Sequence, residues 1–125
     1  MNSNRPKNLA LNTIELPLTA KASILHRISG FALFFAVAFV LCALNMSLKS
    51  EASFNEVKEM MTSPLAQLIT FGILAAFSYH FVAGIKHLVM DMGIGETKEG
   101  GRLGALITFI SAFVLIALAG VWVWA

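Results

Sequence analysis

The chain has 125 residues, 58% of them hydrophobic and only 13% charged, with a mean hydropathy of +0.78. A soluble domain is about half apolar and a quarter charged, and a small one needs polar residues to cover its surface, so this composition excludes an ordinary soluble domain and indicates a membrane protein. The net charge of +2, with no basic cluster interleaved with aromatics, excludes nucleic acid as a partner, and the single cysteine, Cys42, excludes a disulfide framework or a thiolate metal site from this chain alone.

Residues 1–19 contain Pro6 and Pro17 and no sustained helical period, so they read as an irregular arm on the cytoplasmic surface. Thr19, after Pro17, is the candidate N-cap of the first helix. Crossing a bilayer takes about 20 predominantly apolar residues. Three uncharged stretches qualify: Ile28 to Leu48, Met60 to Ile85, and Leu103 to Ala125. They define an all-α membrane protein over residues 20–125, with three transmembrane helices at about 22–48, 62–91 and 103–125. The first apolar run leads into two more spans and so is not a cleaved signal peptide. Cys42, inside it, reads as a small buried hydrophobe. The loop between spans one and two has room for a short amphipathic turn through Phe54, Val57 and Met61. Pro64 falls near the start of the second span, where a first-turn proline is tolerated. "DMGIGETKEGGR" is glycine-rich and polar and reads as a connector. In span three, Gly104, Thr108 and Ala112 form a small-residue stripe, with Gly120 further out, suited to packing.

The basic residues set an orientation. Arg5, Lys7, Lys21, Arg27, Lys86, Lys98 and Arg102 lie in the arm, at the first span's start or around the loop between spans two and three. The other inter-span loop carries only Lys49 and Lys58, beside Glu51, Glu56 and Glu59. The positive-inside rule then places the N-terminus in the cytoplasm (or a mitochondrial matrix) and the C-terminus on the periplasmic side. Trp122 and Trp124 suit the far interface. The N-terminus shows no Arg/Ser-rich transit segment, which points to a bacterial inner membrane.

Ionisable groups at membrane depth are costly and usually functional. His80 is the only one in the apolar stretch of span two, roughly 9 Å below Lys86 at 1.5 Å rise per residue. Gly72, Ala76, His80 and Gly84 share one helix face, a strip of small residues with one imidazole. That strip suits either close helix packing, with His80 hydrogen-bonded across helices, or a flat macrocycle with His80 as axial ligand. His87, one heptad on, suits an interfacial histidine, and Asp91 an interfacial charge. At the first span's entrance, Ser23, His26, Arg27 and Gly30 fall at i, i+3, i+4 and i+7, one helical face. Arg27 there is either a snorkelling anchor or a forked donor for a carboxylate, and Ser23 with Arg27 could hold a quinone carbonyl. No nucleophile–base pair, paired catalytic carboxylates, phosphate loop or metal cluster is present.

Two motifs carry a family resemblance: "RP" at Arg5–Pro6 followed by "SILHRIS" at Ser23–Ser29, and "HFVAGIKHLVMDMG" at His80–Gly93. On these, and over nearly its whole length, the chain resembles the cytochrome b membrane-anchor subunit (the C subunit) of succinate dehydrogenase, the succinate:quinone oxidoreductase of respiratory complex II. The departure is Lys86 where arginine is common, a cation without the bidentate fork. The resemblance implies one haem b shared with a second membrane-anchor subunit, His80 being this chain's axial ligand. It places His26, Arg27 and His87 near the haem propionates, and Ser23 and Arg27 at a quinone site against the iron–sulfur subunit. Succinate oxidation would belong to a flavoprotein subunit. The competing reading is a structural membrane anchor without a redox group. A transporter is disfavoured, because a relay needs several deep ionisable residues.

Overall fold

The computed structural model describes residues 16–125 and folds them into four helices: α1 (Leu18–Ser47), α2 (Glu51–Met60), α3 (Pro64–Asp91) and α4 (Lys98–Trp124). Helices α1, α3 and α4, of 30, 28 and 27 residues, are long and apolar enough to cross a membrane. At 1.5 Å per residue each runs about 40–45 Å, longer than the roughly 30 Å hydrocarbon core, so their ends reach the interfaces. Most of the expected arm, with Arg5, Pro6 and Lys7, lies outside the described residues.

Side chains at the helix starts explain where most of the helices begin. Ser50 accepts from the Ser53 amide, Ser63 from Ala66 and Thr97 from Gly100, each satisfying an amide that the helix leaves orphaned. Pro64 takes the first helical position of α3, where its missing N–H costs nothing. Helix α1 corrects the expected cap. Pro17, not Thr19, is the capping residue, and its carbonyl accepts from the Lys21 amide at 3.1 Å. The proline's fixed φ suits that position. Thr19 is already helical, and its methyl stands 3.2 Å from where a Cβ on Gly101 would be.

The segment between α1 and α3 forms more than a turn. Ser50 caps a full ten-residue helix, which Ser53 ties to the Met46 carbonyl at the end of α1. The glycine-rich connector is shorter than expected. Helix α3 ends in a Schellman motif, Gly93 donating to Met90 and Ile94 to Val89, with Gly93 at φ +85°. Helix α4 then starts at Lys98 and runs straight through Gly100 and Gly101. Glycine costs a helix about 1 kcal/mol, but here it lets α4 approach α1 closely, and packing overrides propensity.

Helix α3 is central, packing against both α4 and α1, while α4 also touches α1. The buried residues are mostly small: Ala22, Ser29, Ala83, Gly101, Ala105, Thr108 and Ala112. Thr108 returns its hydroxyl to the Gly104 carbonyl. This is membrane-type packing, in which small side chains let backbones come close. Tyr79 is the one bulky member, stacked near Phe109 and donating to the Ala22 carbonyl at 2.6 Å. Burial on α1 ends at Ser29. Beyond it no residue of α1 is fully buried, and Cys42 is exposed instead of buried.

Candidate functional site

One end of the bundle gathers the start of α1, the end of α3 and the start of α4. Thr19 lies against Gly101, and the Lys86 stem crosses the space over Gly104, 3.7 Å from a Cβ built there. At this end all three histidines meet. His80, Gly84 and His87 fall at i, i+4 and i+7 on α3, one helical face. His26 of α1 sits over the notch that Gly84 leaves, its Nε2 3.6 Å from a Cβ position on that glycine. Its ring stacks on His80 with centroids 4.2 Å apart and planes 6° from parallel, and it leans on His87 at 4.9 Å and 54°.

His80 is fixed by its Nδ1. That nitrogen is 3.1 Å from the His26 carbonyl oxygen and 3.1 Å from Ser29 Oγ, and the serine hydroxyl donates to the same carbonyl at 2.8 Å. Three histidines this close suggest a metal cage, but among the described residues no three histidine, cysteine or carboxylate groups are placed to hold an ion. Imidazole lone pairs lie in the ring plane, so two rings stacked face to face cannot point at one metal.

The other expected residues divide. His26, His80 and His87 are brought together, all half-buried. Ser23 is half-buried and Arg27 exposed, at the flank of the cluster. Of the small strip, Gly84 seats His26 and Ala76 is half-buried, while Gly72 is exposed with nothing within 4 Å of an added Cβ. Lys86 is turned toward α4 and packs its stem there. Sequence reasoning passed over Ser29 and Tyr79, which join α1 to α3 beside the contact of His80 with the His26 carbonyl. The available signal was helical: Ala22, His26 and Ser29 fall at i, i+4 and i+7, one residue round from the face through Ser23 and Arg27.

A family model described as "Succinate dehydrogenase/Fumarate reductase transmembrane subunit" matches residues 1–119. The chain is 38% identical to the succinate dehydrogenase cytochrome b556 subunit of Coxiella burnetii, with 99% of this chain and 100% of that one covered. It is 31% identical to the cytochrome b556 subunit of Paracoccus denitrificans, over 92% of this chain and 88% of the relative. The mitochondrial cytochrome b560 subunit of Sus scrofa is 32% identical, over 94% and 73%.

Proposed function

The chain belongs to the succinate dehydrogenase/fumarate reductase transmembrane-subunit family and is a multi-pass inner-membrane anchor, and from that premise we propose that it co-ligates haem b and helps form the quinone-reduction site. The cytochrome b naming of the relatives supports a haem, and the chemistry of His80 fits one. Its Nδ1 contacts a backbone carbonyl, which has no hydrogen to give, so Nδ1 carries the proton. Nε2 then holds a lone pair, the form of histidine that binds metal, and an anchored Nδ1–H is the usual support for such a ligand. That observation carries the proposal.

A bound b-type haem supplies one-electron chemistry between the iron–sulfur subunit and quinone. His80 would hold the iron from this chain, and a second membrane-anchor subunit would supply the other ligand. His26 and His87 flank His80, and with Arg27 they would offer donors to the propionates. Exposed Arg27 and half-buried Ser23 offer donors for a quinone carbonyl at the surface facing the iron–sulfur subunit, with succinate oxidised on the flavoprotein subunit. The basic residues at this end support a cytoplasmic placement, from which quinone would take its protons from water near the surface, without a long channel. In the assembled complex, His80→Ala abolishes the b-type redox difference spectrum. A parental spectrum in that variant overturns the ligand assignment and favours His87 or a purely structural anchor.

A further inference from the structure

His80 is held on three sides, and two of the groups that hold it are not ligands, propionate partners or quinone contacts. The first is Ser29, 8% exposed, whose Oγ–H is spent on the His26 carbonyl at 2.8 Å. Its remaining lone pairs therefore face His80 Nδ1 at 3.1 Å. Nδ1–H thus meets two acceptors, the serine oxygen and the His26 carbonyl, both on the same turn of α1. The second group is Gly30. A Cβ built there would stand 2.8 Å from His80 Cε1, 3.3 Å from Nδ1 and 3.8 Å from Nε2. The edge of the imidazole occupies the space that any other residue's side chain would need. The His26 ring covers one face of His80 at 4.2 Å.

We infer that Ser29 and Gly30 are positioning residues that form a seat for the His80 imidazole, setting its ring plane and keeping Nδ1 protonated and hydrogen-bonded. This rests on the reading of His80 as a haem ligand. The seat acts in two separable ways. Ser29 and the His26 carbonyl withdraw the Nδ1 proton slightly, which makes Nε2 a stronger donor and favours the oxidised iron. Gly30 and the His26 ring fix the rotation of the imidazole about its bond to iron, the angle to which the electron paramagnetic resonance of an oxidised imidazole-ligated haem responds.

The test uses the assembled complex in membranes or detergent. Ser29→Ala removes one oxygen and keeps a small side chain between α1 and α3. Losing an acceptor on Nδ1–H should raise the haem midpoint potential, with about a tenfold change in the oxidised-to-reduced ratio, or about 59 mV for one electron. Ser29→Thr, which keeps the hydroxyl, should return toward the parental potential. Gly30→Ala should shift the largest g value of the oxidised haem, since the ring must turn off the new methyl. A role confined to folding would lower haem content and leave the spectrum of the remaining haem unmoved. Parental potential and g values in Ser29→Ala, beside a lost signal in His80→Ala, overturn the seat alone. A signal that persists in His80→Ala overturns the ligand reading itself. Should Gly30→Ala fail to assemble, Ser29→Ala and Ser29→Thr decide the matter between them.

Discussion

Arg27 and Tyr79 stand at the same end of the bundle and are expected to respond to substitution in opposite ways. Arg27 is exposed and packs against no core, so Arg27→Leu should leave the complex assembled and dye-linked succinate oxidation intact. Quinone reduction should fall by about a hundredfold, the cost of losing one donor aimed at a reacting oxygen. Equal loss of both activities would make Arg27 an assembly residue. Tyr79 is buried and ties α3 to the Ala22 carbonyl. Hydrogen bonds between membrane helices average only about 0.6 kcal/mol, so Tyr79→Phe should lower the thermal midpoint of the complex slightly. Tyr79→Ala also opens a cavity beside Phe109 and Ala112, and aromatic truncations of that kind cost about 3–5 kcal/mol. Similar losses for the two variants would show that the hydroxyl, not the ring, holds the helices. The histidines could be read from the sequence because an ionisable group in an apolar run stands out. Ser29 and Tyr79 could not, because serine and tyrosine are ordinary near a helix end. Only the pairing of α1 with α3, over a separation of 57 residues for Tyr79 and Ala22, makes them significant.

At the level of elements, the three spans follow from length and hydropathy alone, whereas their rotations do not. Helices this apolar on every side carry no amphipathic stripe, and burial is decided by where small residues permit contact. That is why Cys42 faces outward and why the α1 contact face lies one residue round from Ser23 and Arg27. The connectors were harder to read for a different reason. Glycine both breaks helices and allows close packing. Gly93 does the first and Gly101 the second. Substitution should separate the roles. Gly93→Ala puts a Cβ on a left-handed residue and should cost about 1–2 kcal/mol, with no change in how α4 packs. Gly101→Leu keeps a favourable helical backbone but drives a side chain into Thr19, so it should part the start of α4 from α1. Amide exchange at the start of α4 should then be faster than in the parent, while in Gly93→Ala it should be unchanged there. Ser50→Ala should cost about 1 kcal/mol of α2 helicity, seen as faster amide exchange in that helix alone.

For the whole molecule, orientation determines what the histidine end can do. Five described basic residues, Lys21, Arg27, Lys86, Lys98 and Arg102, lie toward the end where the three histidines meet. The opposite end carries Lys49 and Lys58 with three glutamates on or beside α2, and Trp122 and Trp124 at the end of α4. Short basic segments resist translocation, so the histidine end should stay on the side from which the chain is inserted. Cytoplasmic iron–sulfur and flavoprotein subunits would then deliver electrons at that face, toward which the half-buried His80 lies. The expectation is checked with reporters fused in the full chain, an alkaline phosphatase active only when exported and a fluorescent protein that matures only in the cytoplasm. Phosphatase placed after Ala125 should be active and the fluorescent protein dark. Both should reverse when the reporter is inserted at Gly95, between α3 and α4. Moving charge should also move topology: replacing Lys86, Lys98 and Arg102 by glutamine while adding three lysines beside Lys49 should produce inverted or mixed insertion. An inverted parental pattern would put the histidines on the far side from the dehydrogenase subunits and exclude direct quinone reduction at Ser23 and Arg27.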